Sequence, residues 1–170
     1  MDGPMILTAL FALVLAVAML WDIATFEIPD TLSVMLVLLA AAGLLTGGGP
    51  DYSPLALLGS HVTAALAAFA GAFVLFAIGL WGGGDVKFLG AVSLWFGWSG
   101  LPAYLLTVAI AGGAFTALLL VFRAVALPAG LARIAWAERL HRRDQGVPYG
   151  VALGLGGLVQ IDRAVAAVVG

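Results

Sequence analysis

Residues Leu55 to Trp81 read LALLGSHVTAALAAFAGAFVLFAIGLW, an apolar run without a charged side chain, and Gly82-Gly83-Gly84-Asp85-Val86-Lys87 follow at once. A bilayer core of roughly 30 Å needs about 20 apolar residues of helix, so this run reads as a membrane span. The rest of the chain agrees, because 64% of its 170 residues are hydrophobic and only 9% are charged, far from the balance of a soluble globular protein. Apolar runs recur from one end to the other. They predict an all-α polytopic bundle forming one membrane-embedded domain over residues 1–170.

Upstream of the central run, Met5 to Trp21 is a first span, a polar break covers Asp22 to Asp30, and Thr31 to Thr46 is a second span closed by Gly47-Gly48-Gly49-Pro50-Asp51. The N-terminus lacks a basic region and its apolar run ends in Trp21-Asp22, so it reads as a retained span and not a cleaved signal peptide. Downstream, Phe88 to Trp98 is a short fourth run ending at a Gly100 and Pro102 break, and Ala103 to Phe122 is a fifth. Ala129 to Asp144 mixes Leu131, Ile134, Trp136 and Leu140 with Arg133, Glu138, Arg139, Arg142 and Arg143, which predicts a basic interfacial helix over about 129–146. Val147 to Val169 is the last apolar run, interrupted by Gln160, Asp162 and Arg163, giving about six spans.

Five of the seven basic residues lie between Arg123 and Arg143. Short loops rich in Lys and Arg stay in the cytoplasm, so the connection before the last span is cytoplasmic. Counting back through six spans puts the Lys87 loop and the Asp22–Asp30 loop on that same side. Two carboxylates, Asp22 and Asp85, therefore end up at one face of the membrane.

An ionisable side chain at the edge of a span is costly to hold and commonly marks a functional path. Either acid alone is equally explained as a helix cap or a solvated boundary marker. Two features favour function. The three glycines before Asp85 let the backbone bend and another chain approach closely, and a bundle interior can bring Asp22 to the same depth. Like charges in a low dielectric do not both ionise, so such a pair shares a proton, which is the arrangement of an aspartic protease. With no cysteine in the chain, thiolate metal sites, disulfides and a thiol nucleophile are excluded, and no metal or cofactor is expected. Nothing in the charge pattern points to nucleic acid.

Gly82-Gly83-Gly84-Asp85-Val86-Lys87 and the segment Asp22-Ile23-Ala24-Thr25-Phe26-Glu27-Ile28-Pro29-Asp30 resemble the type IV prepilin peptidases, members of the intramembrane aspartic proteases marked by Gly-x-Gly-Asp. Val147-Pro148-Tyr149-Gly150 is similar to a third family segment. The resemblance covers nearly the whole chain in the family's order. It implies that Asp22 and Asp85 are the catalytic pair, that the substrate is a prepilin or pseudopilin with a short basic leader, and that cleavage occurs at the cytoplasmic face of the bacterial inner membrane. Asp30 stands where the family more often has Asn, and either residue can cap a helix starting near Thr31. Larger members carry an insertion with paired cysteines and an N-methyltransferase activity. This chain has no cysteines, and resembles the short, peptidase-only branch associated with Flp or Tad pili.

Among the neighbours, Gly82 and Gly84 shape the turn, and Lys87 is a substrate contact or a topology anchor. Glu27, Pro29 and Asp30 border the first acid, and the two carboxylates have the right sign for a basic leader. His61, on the outer side, reads as interfacial, as do Trp81, Trp95, Trp98 and Trp136. Asp162 and Arg163 point about 100° apart on a helix, so the last span ends near Ile161 or each finds its own partner. Gly59 and Gly79 have no reading beyond helix packing. Two other classes compete: a proton-coupled carrier or channel using Asp22 and Asp85 as a relay, and a scaffold in which both acids only cap helices. A carrier would show internal repeats or broken helices meeting at the midplane. Oligomeric state is not legible in the sequence.

Overall fold

In hydrocarbon a backbone must satisfy its own hydrogen bonds, and the apolar runs do so as helices. The computed structural model describes residues 3–46 and 53–169. Eight α-helices run in order among the described residues: α1 Gly3–Thr25, α2 Asp30–Thr46, α3 Pro54–Ala77, α4 Gly83–Ser93, α5 Gly97–Ala124, α6 Ala135–His141, α7 Gly150–Val159 and α8 Ile161–Val169. A short 3₁₀ turn at Leu131–Arg133 precedes α6. The expected Gly47–Asp51 turn lies outside the described residues.

Leu13, Leu20, Leu66, Phe73, Val74, Leu106 and Leu118 are all at least half exposed, so the outer surface is as apolar as the interior, as suits lipid contact. Three helices are long and apolar enough to cross a bilayer: α1, α3 from Leu55, and α5. The pair α7 and α8 makes a fourth if counted as one span bent by 69°. The apolar helices α2 and α4, of 17 and 11 residues, are shorter than the roughly 20 residues a straight crossing needs.

The interior is organised around α4, whose Val86, Phe88, Leu89, Val92 and Ser93 are buried between α2 and α3. On the other side α7 packs between α1 and α5. Small residues make that possible. Gly150, Gly154 and Gly157 share one face of α7, and a Cβ on Gly157 would lie 2.6 Å from Leu15 Cδ1, while one on Gly154 would run into the Met19 side chain. On the other face a Cβ on Gly156 would lie 2.5 Å from Val108 Cγ2. Helices without a hydrophobic drive between them associate through such close backbone approach.

Several expectations are corrected. α5 begins at Gly97, not Ala103, and runs through the Gly100–Pro102 stretch. Pro102 is the sixth residue of this helix, past its first turn, so it removes the N–H that would bond the Trp98 carbonyl. The final apolar run is two helices, broken at Gln160, whose Nε2 donates to Thr107 Oγ1 on α5 (2.6 Å). This break accounts for Asp162 and Arg163, which fall in the exposed first turn of α8. The basic segment is not one helix, because Ile134 adopts an extended backbone between the 3₁₀ turn and α6.

Trp95 is not a belt residue. It is fully buried, stacked on Phe11 at 4.1 Å between ring centroids, and its indole N–H donates to Leu36 O (3.1 Å). His61 is also internal: at 3% exposure it sits with Nδ1 2.7 Å from Leu94 O, so Nδ1 carries the proton and ties α3 to the turn before α5. Gly79 has a conformational role after all. At φ 78° it follows the end of α3, and Leu80 N–H closes back to Leu75 O (2.9 Å), a left-handed stop that favours glycine.

Candidate active site

Along α1 the buried positions are Phe11, Val14, Leu15, Ala18 and Asp22, a single inward stripe at helical spacing, so Asp22 continues the core face of its helix. Only 2% of it is exposed. A carboxylate buried that deeply needs donors, and the Gly150 N–H supplies one to Oδ2 at 2.7 Å. Gly150 opens α7, so the free N–H groups and the positive end of that helix face the acid. A charge-assisted bond of this kind stabilises the contact by about 1.5–3 kcal/mol. A Cβ at position 150 would lie 2.7 Å from both Asp22 Oδ2 and Ile28 Cδ1, so only glycine leaves room for this approach.

Asp85 lies in the first turn of α4, where its Oδ2 accepts the Gly82 N–H at 3.2 Å. It is only partly buried. The loop after α1 reaches across to this turn. A Cβ on Gly84 would lie 3.2 Å from Ile28 O and 3.4 Å from Ile28 N, so the backbone at position 84 rests directly on Ile28. Ile28 is thus wedged between Gly150, beside the first acid, and Gly84, beside the second.

A cavity of about 310 Å³ opens beside Asp85, lined by Phe26, Glu27, Ile28, Asp30 and the three glycines Gly82, Gly83 and Gly84. Asp22 is not in its lining. Every charged residue in the lining is acidic. Phe26 has φ 60°, a left-handed conformation that costs a non-glycine residue about 1–2 kcal/mol, and its N–H donates to Asp22 O (2.8 Å) to end α1.

Of the other candidates, Pro29 adjoins Asp30 at the start of α2. Asp30 does not serve as a side-chain cap. Its carboxylate takes both bonds of Lys87 Nζ, at 2.7 and 2.8 Å. With both side chains more than half exposed, the pair is worth about 1 kcal/mol or less. It also marks the head of a larger groove, about 580 Å³, which runs between α2 and α3 over Gly90 and Ala91 and is otherwise lined by Ser33 and apolar side chains. Among the described residues no three His, Asp or Glu side chains converge as metal ligands.

Sequence reasoning missed the groups that hold the site together. Arg123, 8% exposed, donates to Leu140 O, Gln145 O and Gly146 O at 2.8–3.0 Å, pinning the connection that leads to Gly150. Arg139 Nη1 donates to Ala24 O (3.0 Å) and ties α6 to the end of α1. A lone arginine closing an apolar run was the available clue for Arg123. Gly150 stood in the Val147–Gly150 segment noted in the sequence, but its part as donor to Asp22 is played by a backbone group that residue type does not announce.

Both acids accept a backbone N–H, and Asp85 lines an open cavity where it can exchange a proton with a bound polar group. The model of the type IV leader peptidase family matches residues 9–117, a stretch that contains both Asp22 and Asp85. No curated protein and no solved structure matches the chain.

Proposed function

Because this chain belongs to the type IV leader peptidase family, we propose that it is an aspartic endopeptidase that removes the leader from a prepilin or pseudopilin, with Asp22 and Asp85 as its catalytic pair. The observation that carries this reading is that two acids from distant parts of the chain each accept a glycine N–H, and that Ile28 lies against both Gly150, beside Asp22, and Gly84, beside Asp85. With one proton shared between them, the ionised member takes a proton from water as its oxygen attacks the scissile carbonyl carbon. The protonated member gives its proton to the carbonyl oxygen. Collapse of the tetrahedral intermediate breaks the C–N bond, and a proton passes to the departing amine.

Glu27 and Asp30 on the cavity rim suit a basic leader, and the basic stretch from Arg123 to Arg143 supports a cytoplasmic location of this end of the bundle in a bacterial inner membrane. The peptidase-only form fits an Flp- or Tad-type pilus system. A carrier reading would need internal repeats or broken helices meeting at the midplane. Among the described residues the bent pair breaks at Gln160, at the far end of α7 from the Gly150 that meets Asp22.

The test is co-expression with a prepilin and comparison of leader removal by wild type, Asp22→Asn and Asp85→Asn. Each variant is expected to lose at least about 100-fold in cleavage rate. Wild-type processing by either one removes the paired-acid mechanism.

A further inference from the structure

The two glycines that donate to the acids are each preceded by an aromatic residue, and those two aromatics touch. Trp81 comes directly before Gly82, whose N–H reaches Asp85 Oδ2, and Tyr149 comes directly before Gly150, whose N–H reaches Asp22 Oδ2. The rings of Trp81 and Tyr149 lie 5.2 Å apart between centroids at 44° to one another. Offset and tilted aromatic pairs at this separation are attractive and directional. Neither ring has been given work by the proposed chemistry.

We propose that Trp81 and Tyr149 are positioning residues whose ring contact sets the separation of Asp85 and Asp22, an inference that rests on the paired-acid reading above. From either ring to its carboxylate the path is one Cβ, a planar peptide and one hydrogen bond, with few soft torsions to absorb a shift. The Tyr149 ring is backed by α5, because a Cβ on Gly112 would lie 3.3 Å from its Cε1, so this ring has a wall behind it and the Trp81 ring in front. On the other side of the acids, Ile28 fills the space between Gly84 and Gly150. The turn that bears Asp85 and the turn that holds Asp22 are therefore linked through the ring pair and through Ile28. Of these only the aromatic pair joins the donor residues' own neighbours directly.

The experiment measures kcat and KM of purified protein in lipid nanodiscs with a synthetic peptide carrying a basic leader and the start of an apolar helix. Trp81→Leu and Tyr149→Leu are expected to lower kcat about 100-fold with KM within about twofold, the signature of misplaced reacting groups with binding kept. The double variant should fall no further than the worse single, since either change breaks the same contact. Trp81→Phe and Tyr149→Phe, which keep a ring pair, should recover most of kcat, and Gly112→Ala, which pushes on the Tyr149 ring without removing it, should lower kcat several-fold at constant KM. The Gly112 variant and the two Phe variants carry the test if a Leu variant fails to fold. The proposal is overturned by losses that appear in KM alone, by losses that multiply in the double variant, by Phe variants as slow as the Leu ones, or by a Gly112 variant with wild-type kcat. Asp22→Asn and Asp85→Asn run alongside: if they cleave normally the parent mechanism fails, and if they are dead while the ring variants are wild type, the ring contact alone is refuted.

Discussion

Asp22 sits where α7 lies against α1 with glycine at contact after contact, and only 2% of it is exposed; Asp85 sits in a three-glycine turn beside a 310 Å³ cavity and is only partly buried. The same residue type thus serves opposite ends. In α7 glycine removes side chains so that two helices close on a buried acid. Around the start of α4, Gly82 and Gly83 line a cavity that no described residue fills. One carboxylate is fixed by dense packing and the other faces the space a substrate would enter, so damage on the two sides should differ in kind.

The largest effect is expected from Gly150→Ala. Its Cβ would crowd Asp22 Oδ2 and Ile28 Cδ1 together, and moving a reacting group by about 1 Å costs on the order of 100-fold in rate. Leader cleavage by the purified variant checks this, and a near-normal rate would show that the closed side is softer than its packing implies. Next comes Gly154→Val, which overfills the α1 contact without touching an acid. It should cost about 1–3 kcal/mol, read as a lower unfolding temperature in detergent, with cleavage by the surviving fold retained.

On the open side the changes should be small. Lys87→Met removes an exposed ion pair and should shift stability by about 1 kcal/mol or less, measured in the same unfolding assay at low and high salt. Gly59→Ala is smallest, since nothing lies within 4 Å of the added Cβ in the exposed face of α3, and a gain of up to about 1 kcal/mol is expected from helix propensity. A large loss at Gly59 would mean that this face meets something other than lipid.

The same contrast explains what could be read from sequence. Helices appear wherever long apolar runs stood, because hydrophobic length is a property of residue types. Glycines before an acid were visible as a turn. Which face of each helix points inward was not visible, since Leu, Ala and Val occupy every face of α1 and only the packed structure singles out Phe11, Leu15, Ala18 and Asp22. Trp95 and His61 went wrong for that reason: their side chains suit an interface equally well, and only the neighbouring carbonyls of Leu36 and Leu94 draw them inside. The break in the last run was signalled by Gln160, Asp162 and Arg163. Its form was not, because the Thr107 hydroxyl that receives Gln160 lies on α5, far away in sequence. The candidate site divides the same way, with the carboxylates named by their type and the donors that hold them anonymous backbone groups.

The bond between Gly150 and Asp22 spans 128 positions of chain. During synthesis the ribosome must therefore add all of them before the first acid has its partner, and until then α1 carries into the membrane a carboxylate with no helix end facing it. A nascent chain stopped between Asp85 and Gly150 already contains both acids and the glycine turn, yet lacks the element that seats one of them. The order of manufacture alone delays assembly of the site until most of the bundle around it has been made.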